Sequence, residues 1–266
     1  MSPDRLIFPL AGVLLAAALI LGFQKEAVPA ATGTPAPVAS QAPATFVPSG
    51  DAVIDGFRKS TVASVADAVD QVLGVRGFMR HDMRPRVPGQ VVGRARTAMV
   101  KLAPKEQSTP AAAVKHSVEM IEDTKPGEVG VIVMENGLDV AVIGGLMGTV
   151  AKSRGMAGMI LDGGVRDLAE LRALDLPVYS RSISPATAVS RYVTVGKDIE
   201  VICADIKVRP GDIIVAGEDG VVVVPKEREA EVLKRSQEID ERETNMVPFI
   251  KEFKSLTKAI EKFNRI

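Results

Sequence analysis

Two glycine-containing loops hold the residues of this 266-residue chain whose types and spacing suggest chemistry. The first loop, Gly144-Gly145-Leu146-Met147, follows a short apolar run and precedes a predicted helix. Glycines let the backbone approach a ligand closely, and free N–H groups at a helix N-terminus attract anions. The loop therefore suits a carboxylate or a phosphate, although a tight turn alone would also explain its glycines. Its spacing is not GxGxxG, so it does not predict a dinucleotide site.

The second loop contains Arg166 and Asp167, again between a predicted strand and a predicted helix. A planar guanidinium can hold a substrate carboxylate through two hydrogen bonds. An aspartate carboxylate is a ligand that Mg²⁺ accepts while it keeps several of its waters. Both residues also have simpler interpretations, since Asp167 suits a helix N-cap and Arg166 suits a solvated charge.

The spacing of the two loops along the chain favours a shared site. Twenty residues separate Gly145 from Arg166, which is enough for one helix and one strand. A βαβ unit of this length places two parallel strands side by side. Open α/β sheets bind ligands at the carboxyl ends of their strands. We therefore expect an anion-binding loop, an arginine and a metal-binding carboxylate to converge on one pocket.

The composition argues against several other kinds of site. Lys and Arg together number 33, as do Asp and Glu, and a neutral chain argues against broad nucleic-acid binding. The single cysteine, Cys203, excludes an internal disulfide framework and a zinc site built from cysteines. The chain has only two histidines, His81 and His116, which argues against a multi-histidine metal centre and a Ser-His-Asp triad. Carboxylates, arginines and backbone amides are left to do the chemistry.

Strand and helix patterns alternate through the middle of the chain and must position these loops. Helices are predicted at residues 62–73, 111–123, 145–154 and 167–174. Strands are predicted at residues 90–102, 130–134, 140–143, 158–161 and 177–180, followed by β-rich segments within 199–224. This alternation predicts an α/β fold whose mixed sheet contains parallel pairs.

Two helices are predicted after this domain, in residues 227–266. A charged helix begins at Lys226 and ends near Thr244. A final helix aligns its apolar residues on one stripe, formed by Phe249, Phe253, Leu256, Ile260 and Phe263.

The N-terminal residues do not fit a globular domain. Residues 6–23 are eighteen uncharged apolar or small residues, which span about 27 Å as a helix and can just cross a thin bilayer. Residues 1–24 are therefore interpreted as a transmembrane anchor or, equally well, as a cleaved signal peptide. Residues 25–50 form a linker rich in Pro and Ala, and residues 51–226 form the α/β domain. Either interpretation of residues 1–24 places the domain on the extracytoplasmic (periplasmic) side of a membrane.

Residues 144–167, GGLMGTVAKSRGMAGMILDGGVRD, resemble the signature of the RraA-like family. That family contains the class II 4-hydroxy-4-methyl-2-oxoglutarate aldolases, which also decarboxylate oxaloacetate, and the regulator of ribonuclease activity A. The similarity continues at residues 61–79, 88–97 and 209–225, and it covers about residues 55–245 in all. The arginine–aspartate element is its most specific part.

The resemblance implies a ββα swivelling-domain fold, assembled as a trimer or a dimer of trimers with sites between subunits. It implies that the amides of residues 144–147 bind the pyruvyl part of a 2-oxo acid and that Arg166 binds its carboxylate or carbonyl oxygen. Asp167 is then the direct ligand of Mg²⁺ or Mn²⁺. A glutamate from the C-terminal helix of a neighbouring subunit completes the outer shell of the metal. Glu243 is the best match, and Glu241 and Glu238 are close alternatives.

One departure from the aldolase pattern affects the functional prediction. Where the aldolases carry an acidic residue, twenty residues before the Arg-Asp pair, this chain carries Gly145. A missing acid–base group typically costs 10²- to 10⁴-fold in rate. The leading prediction is a metal-dependent lyase that forms a pyruvate enolate from 2-oxo acids, and the alternative is a non-catalytic trimeric binding or regulatory protein. An extracytoplasmic position argues against ribonuclease control, and no glycine-rich nucleoside-binding motif supports a methyltransferase.

The predicted export of the domain can be tested with reporter fusions. An alkaline phosphatase joined after residue 50 should be active in a bacterial host, because that enzyme needs an extracytoplasmic environment. A cytoplasmic reporter joined at the same residue should be silent. The opposite pattern would place the domain in the cytoplasm and would restore the ribonuclease-regulator interpretation.

Overall fold

The computed structural model describes residues 48–264, in which helices cover a mixed β-sheet. The helices of this part of the chain are α1 Ala52–Phe57, α2 Val62–Leu73, α3 Pro110–Glu122, α4 Gly145–Ser153, α5 Leu168–Ala173, α6 Glu229–Phe253 and α7 Leu256–Phe263, with a 3₁₀ turn at Lys226–Arg228. Its strands are β1 Arg84–Val87, β2 Val91–Leu102, β3 Val129–Met134, β4 Ala141–Ile143, β5 Gly158–Val165, β6 Val178–Ile183, β7 Tyr192–Lys197, β8 Val201–Cys203, β9 Ile206–Val208, β10 Ile213–Gly217 and β11 Gly220–Val224.

Side-chain caps begin several of these helices. Thr61 accepts a hydrogen bond from the Ser64 amide at the start of α2, and Thr109 accepts one from the Ala112 amide at the start of α3. Gly74 ends α2 in the left-handed conformation, with a φ of 66°. The helix predicted at residues 62–73 is therefore confirmed, and Thr61 and Gly74 are its two caps.

Nine strands form one mixed sheet in the order β1-β6-β5-β3-β2-β10-β11, with β4 paired to β5 and β7 paired to β2. Four pairs are parallel, namely β2–β3, β3–β5, β4–β5 and β5–β6. The β8–β9 hairpin is separate from this sheet. The predicted mixed α/β architecture is confirmed, since α4 connects the parallel strands β4 and β5, and α5 connects β5 and β6.

Both faces of the central strands are covered, as expected for parallel strands that are apolar throughout. All six residues of β3 are buried. One face packs against α3, α4 and α5 through Met120, Ile121, Ala151 and Leu171. The other face packs against the β8–β9 hairpin through Val201, Cys203, Ile206 and Val208. A third apolar cluster joins α1, α2 and α6 to the β10–β11 hairpin, so the C-terminal helix α6 lies beside that end of the sheet.

Two predicted elements have different forms in the structure. The single amphipathic helix predicted across residues 249–263 is wrong, because α6 continues to Phe253 and α7 is a separate helix. Lys254 ends α6 with a φ of 49°, and Ser255 starts α7 by accepting a hydrogen bond from the Lys258 amide. The predicted apolar stripe still forms an aromatic contact, since the Phe249 ring lies 4.5 Å from Phe253 and 5.7 Å from Phe263.

The second difference lies within the β-rich segments predicted in residues 199–224. They contain the turn of the β8–β9 hairpin, where Ala204 and Asp205 both have positive φ. The predicted strand at 140–143 exists, but it pairs with β5 rather than with the preceding strand β3.

The predicted membrane segment, residues 6–23, and the linker up to residue 47 lie outside the described residues. Among residues 48–264, no helix is both long and apolar enough to cross a membrane.

A partly buried ion network connects four segments on the hairpin side of the sheet. Arg181 donates to Asp82 at 2.9 Å and to Asp162 at 2.8 Å, and Asp162 accepts from the Ala204 amide at 2.6 Å. Burial raises the pKa of Asp82, but the hydrogen bond and charge of Arg181 outweigh it and hold that pKa below its usual value. The network thereby ties β5, β6 and the chain before β1 to the β8–β9 turn.

Replacing Asp82 with Asn should reduce stability in a pH-dependent way. A carboxyl whose pKa falls on folding stabilises the protein above its unfolded pKa of about 3.9 and loses that contribution as the pH drops through its folded pKa. We expect Asp82→Asn to lower the free energy of unfolding at pH 7 by about 1–2 kcal/mol. The difference from the wild type should shrink below about pH 4. Urea unfolding at pH 7 and pH 3 measures this, and an equal difference at both values would contradict it.

Candidate active site

The two glycine-containing loops lie side by side at the carboxyl ends of neighbouring parallel strands. Ile143, the last residue of β4, is opposite Val165, the last residue of β5. The amide of Arg166 donates to the carbonyl of Ile143 at 3.2 Å. The predicted convergence of the Gly144 loop and the Arg166 loop is therefore present in the structure.

A hydrogen bond across this junction fixes the carboxylate of Asp167. The Gly145 amide, at the first residue of α4, donates to Asp167 Oδ2 at 2.9 Å. The structure corrects the N-cap interpretation of Asp167, because its side chain makes no hydrogen bond to the first turn of α5. Asp167 precedes α5 with a φ of 56° and a ψ of 43°, so its carboxylate turns away from that helix and towards α4. This left-handed conformation is one that Asp and Asn adopt more readily than most residues do.

Close approach of the two loops requires glycine at position 144 but not at position 145. A Cβ on Gly144 would lie 2.3 Å from Asp167 Oδ2 and 3.0 Å from the side chain of Arg166, so the Asp167 carboxylate would have to move and lose its present position. A Cβ on Gly145 would lie 3.3 Å from Glu170 Cβ, which needs only a small adjustment. Gly145 is helical and its φ is not positive, so its backbone does not favour glycine.

The site offers groups for an anion on one side. The hydrogen-bond ladder of α4 begins where the Gly148 amide donates to the Gly144 carbonyl, so the amides of Leu146 and Met147 have no partner within the helix. Arg166 is 41% exposed, and its Nε lies 3.6 Å from Asp167 Oδ2. The Gly145 amide, in contrast, is already bonded to Asp167. The predicted amide loop thus keeps two open donors, and a guanidinium stands beside them.

The site also offers a carboxylate oxygen for a cation. Asp167 is 40% exposed, and its Oδ1 accepts no hydrogen bond from residues 48–264. No group of three or more His, Cys, Asp or Glu side chains suited to a metal occurs in the described part of the chain. A single carboxylate beside open solvent fits Mg²⁺ or Mn²⁺, which take oxygen ligands and retain waters, better than it fits Zn²⁺.

A cleft of about 400 Å³ opens between α4 and α5 in front of Asp167. Its lining residues are Gly145, Leu146, Thr149, Asp167, Glu170, Ala173 and Leu174. Leu146 stands at its mouth with 88% of its surface exposed. The sequence analysis missed Glu170, because the tertiary contact between α4 and α5 is what brings it to the cleft.

The three predicted C-terminal glutamates do not lie in this cleft of their own chain. They are on α6, which packs against α1 and α2, and Glu238 forms an ion pair with Arg235 at 2.9 Å. Glu241 and Glu243 are exposed side chains of the same helix. Their predicted contribution to the site of a neighbouring subunit stays a prediction.

A larger cleft lies elsewhere in the described residues and lacks every predicted site residue. It measures about 650 Å³ and is lined by α2, the chain before β1 and the β10–β11 turn. Its positive charge is partly offset, since Arg80 pairs with Asp205 at 3.3 Å. Cys203 gives no nucleophile either, because complete burial raises the pKa of its thiol. The smaller cleft is lined by Gly145, Leu146 and Asp167, whereas Gly144, Met147 and Arg166 do not line it. We take this cleft and the adjoining Arg166 loop as the candidate active site.

Comparisons with known proteins show the family and the fold of the chain. A family model described as RraA-like, Aldolase/RraA, matches residues 62–223. The chain is 30% identical over 185 residues to a Halalkalibacterium halodurans protein named "Putative 4-hydroxy-4-methyl-2-oxoglutarate aldolase", covering 69% of this chain and 81% of that protein. A Deinococcus radiodurans protein with the same name is 38% identical over 104 residues, which is 38% of this chain and 64% of that protein.

Solved structures show the same fold. An uncharacterized protein from Pseudomonas syringae pv. tomato superposes with a TM-score of 0.69 at 27% identity, covering 80% of this chain and 99% of that one. RraAS2 of Streptomyces coelicolor, described as an unusual member of the RNase ES inhibitor RraA protein family, gives a TM-score of 0.64 at 23% identity. That alignment covers 75% of this chain and 96% of RraAS2.

The geometry of the paired glycines predicts opposite outcomes for two matched substitutions. Gly144→Ala should force the Arg166 and Asp167 side chains apart and lower the free energy of unfolding by about 1–3 kcal/mol. Gly145→Ala should be neutral or stabilising by up to about 1 kcal/mol, because alanine is the better helix former. Urea unfolding of the two variants measures this difference. Equal stability of the two would contradict the close approach described here.

Proposed function

The chain belongs to the RraA-like family, and from that premise we propose that it is a divalent-metal-dependent lyase acting on 2-oxo acids. The proposed reactions are aldol cleavage of 4-hydroxy-4-methyl-2-oxoglutarate and decarboxylation of oxaloacetate, which share an enolate of pyruvate. The observation that carries the proposal is the junction of Arg166 and Asp167 with the N-terminus of α4. It places the Arg166 guanidinium and the N-terminus of α4 beside the Asp167 carboxylate, which lines the cleft.

Binding of the substrate follows from the open donors of the site. The Leu146 and Met147 amides point out of the α4 N-terminus, whose partial positive charge favours a carboxylate. The Arg166 guanidinium provides two parallel N–H donors, which can bind two further oxygen atoms of the substrate. A 2-oxo acid carries a carboxylate and a carbonyl on adjacent carbons, so it can engage both groups at once. This arrangement orients the bond that breaks without any covalent attachment to the protein.

Asp167 is the proposed direct ligand of Mg²⁺ or Mn²⁺, through its free Oδ1. A bound cation would supply Lewis-acid stabilisation of the negative charge that develops on the pyruvyl oxygen as the C–C bond breaks. The hydrogen bond from the Gly145 amide holds Oδ2 in place, which leaves the other oxygen aimed at the cleft. Arg166 Nε lies 3.6 Å from the same carboxylate, so its positive charge stands beside the place where an anionic substrate would bind.

Assembly as a homotrimer or a hexamer is part of the proposal. The cleft is open on the side of Leu146, and a neighbouring subunit that covers it would exclude water from the reacting atoms. A glutamate of that subunit's α6 would then complete the outer shell of the metal, with Glu243 preferred over Glu241 and Glu238. We propose an extracytoplasmic location and a membrane association through residues 6–23, based on their sequence alone.

A second function is favoured by one residue. Gly145 stands where the aldolases have an acidic side chain, so a group that handles protons is absent from that position. A non-catalytic member of the family, which binds a partner or a small 2-oxo acid without cleaving it, would tolerate this loss. Nucleic acid is not a proposed ligand of either form.

The proposed lyase predicts a loss of activity without a loss of fold in Asp167→Asn. Pyruvate release from oxaloacetate and from 4-hydroxy-4-methyl-2-oxoglutarate should require Mg²⁺ in the wild type. In the variant it should fall at least about 100-fold, because asparagine cannot supply a charged metal ligand. Asparagine tolerates the left-handed backbone and can still accept from the Gly145 amide, so the unfolding transition should change little.

Asp175→Asn is the matched control for that experiment. Asp175 also has a left-handed backbone, with a φ of 49°, and it follows the other end of α5 outside the cleft. The control should keep wild-type turnover. Normal pyruvate release by Asp167→Asn, or metal-independent release by the wild type, would contradict the proposed function and favour the binding protein.

A further inference from the structure

The side chain of Glu170 starts next to the space that an acidic side chain at position 145 would enter. A Cβ built on Gly145 lies 3.3 Å from Glu170 Cβ and 3.6 Å from Glu170 Cγ. The same Cβ lies 3.6 Å from Asp167 Cβ. The side chain of Glu170 therefore starts beside the very position where the aldolase pattern puts its carboxylate, and it approaches that position from α5 instead of α4.

The position of Glu170 on α5 directs it to the cleft. Glu170 lies in the first turn of α5. It lines the cleft together with Asp167, Gly145 and Thr149. Its side chain makes no hydrogen bond or ion pair with residues 48–264, whereas many other carboxylates of the domain are paired with arginines. The carboxylate is thus free to turn towards Asp167 and a bound substrate.

We infer that Glu170 serves as the second carboxylate of this site, in place of the acidic residue that is missing at position 145. The inference rests on the proposed function. In aldol cleavage, Glu170 takes the proton of the substrate 4-hydroxyl through a water. The C3–C4 bond breaks, C4 becomes a carbonyl, and the bonding electron pair passes into the enolate of pyruvate. Glu170 then returns the proton to C3, which releases the second pyruvate and regenerates the carboxylate.

The same carboxylate also affects cation binding. A second negative charge that lines the same cleft as Asp167 strengthens the attraction for a divalent ion without becoming a direct ligand. Glycine at position 145 leaves the space beside Glu170 Cβ unfilled. A Glu170 that only stabilises the N-terminus of α5 would affect neither the cation affinity nor the turnover.

The test compares full-length wild type with Glu170→Gln, with the double variant Gly145→Asp/Glu170→Gln, and with Glu122→Gln as control. Glu122 is an exposed glutamate of α3 outside the cleft. The measurements are the Kd for Mn²⁺ by electron paramagnetic resonance and the kcat for pyruvate release, with circular dichroism to verify folding. We expect Glu170→Gln to raise the Mn²⁺ Kd about 3- to 10-fold and to lower kcat at least about 100-fold.

Rescue by the double variant shows whether Glu170 acts as a carboxylate of the site or has only a structural role. Gly145→Asp in the Glu170→Gln background should restore the Mn²⁺ Kd to within about twofold of the wild type and recover kcat at least about tenfold. Glu122→Gln should match the wild type in both measurements. A Glu170→Gln protein with an unchanged Mn²⁺ Kd, or a double variant that recovers neither value, overturns the inference.

The two measurements, the Mn²⁺ Kd and the kcat for pyruvate release, distinguish a failure of this inference from a failure of the proposed function. If the wild type binds Mn²⁺ in a Glu170-dependent manner that Gly145→Asp restores, but releases no pyruvate, the second carboxylate is supported and the lyase is not. If the wild type releases pyruvate with metal and Glu170→Gln matches it in both measurements, the lyase is supported and the role of Glu170 is overturned. A wild type that binds no Mn²⁺ overturns both.

Discussion

The hydrogen bond between the Gly145 amide and the Asp167 carboxylate is the contact on which the candidate site depends. It joins the first turn of α4 to the residue before α5, so one bond fixes both loops. It is possible only because position 144 has no side chain, since a Cβ there would overlap the carboxylate. The two oxygens of Asp167 therefore have different roles, because the protein holds Oδ2 and leaves Oδ1 for a ligand.

The fold supports this contact by placing β4 and β5 in parallel register. Ile143 and Val165 end their strands together, so the residues that follow them emerge at the same edge. The buried face beneath them is filled by α3, α4 and α5, which keeps the two helices that border the cleft on one rigid base. On the opposite face the Asp82–Arg181–Asp162 network secures the β8–β9 hairpin. The site is thus an edge feature of a sheet that is packed on both sides.

Much of this arrangement could be predicted from the sequence because it depends on short-range patterns. The alternation of apolar runs with helical periodicity gave the order of strands and helices, and the twenty residues from Gly145 to Arg166 gave the adjacency of the two loops. The direction of the Asp167 side chain could not be predicted, because a left-handed backbone at a non-glycine residue is set by the tertiary contact with α4. The break at Lys254 escaped prediction for a similar reason, since the apolar stripe continues across it.

The exposed Leu146 side chain links ligand binding in the cleft to the covering of the cleft by another surface. It is almost fully exposed at the mouth of the site, and burying a leucine side chain completely is worth about 1.5–3 kcal/mol. Any surface that covers it would also lower the local dielectric around Arg166 and Asp167 and so strengthen their interactions with a ligand. Covering and ligand binding are therefore linked, and each must favour the other by the same factor. Affinity for a ligand would then depend on protein concentration, as a consequence of one exposed apolar side chain.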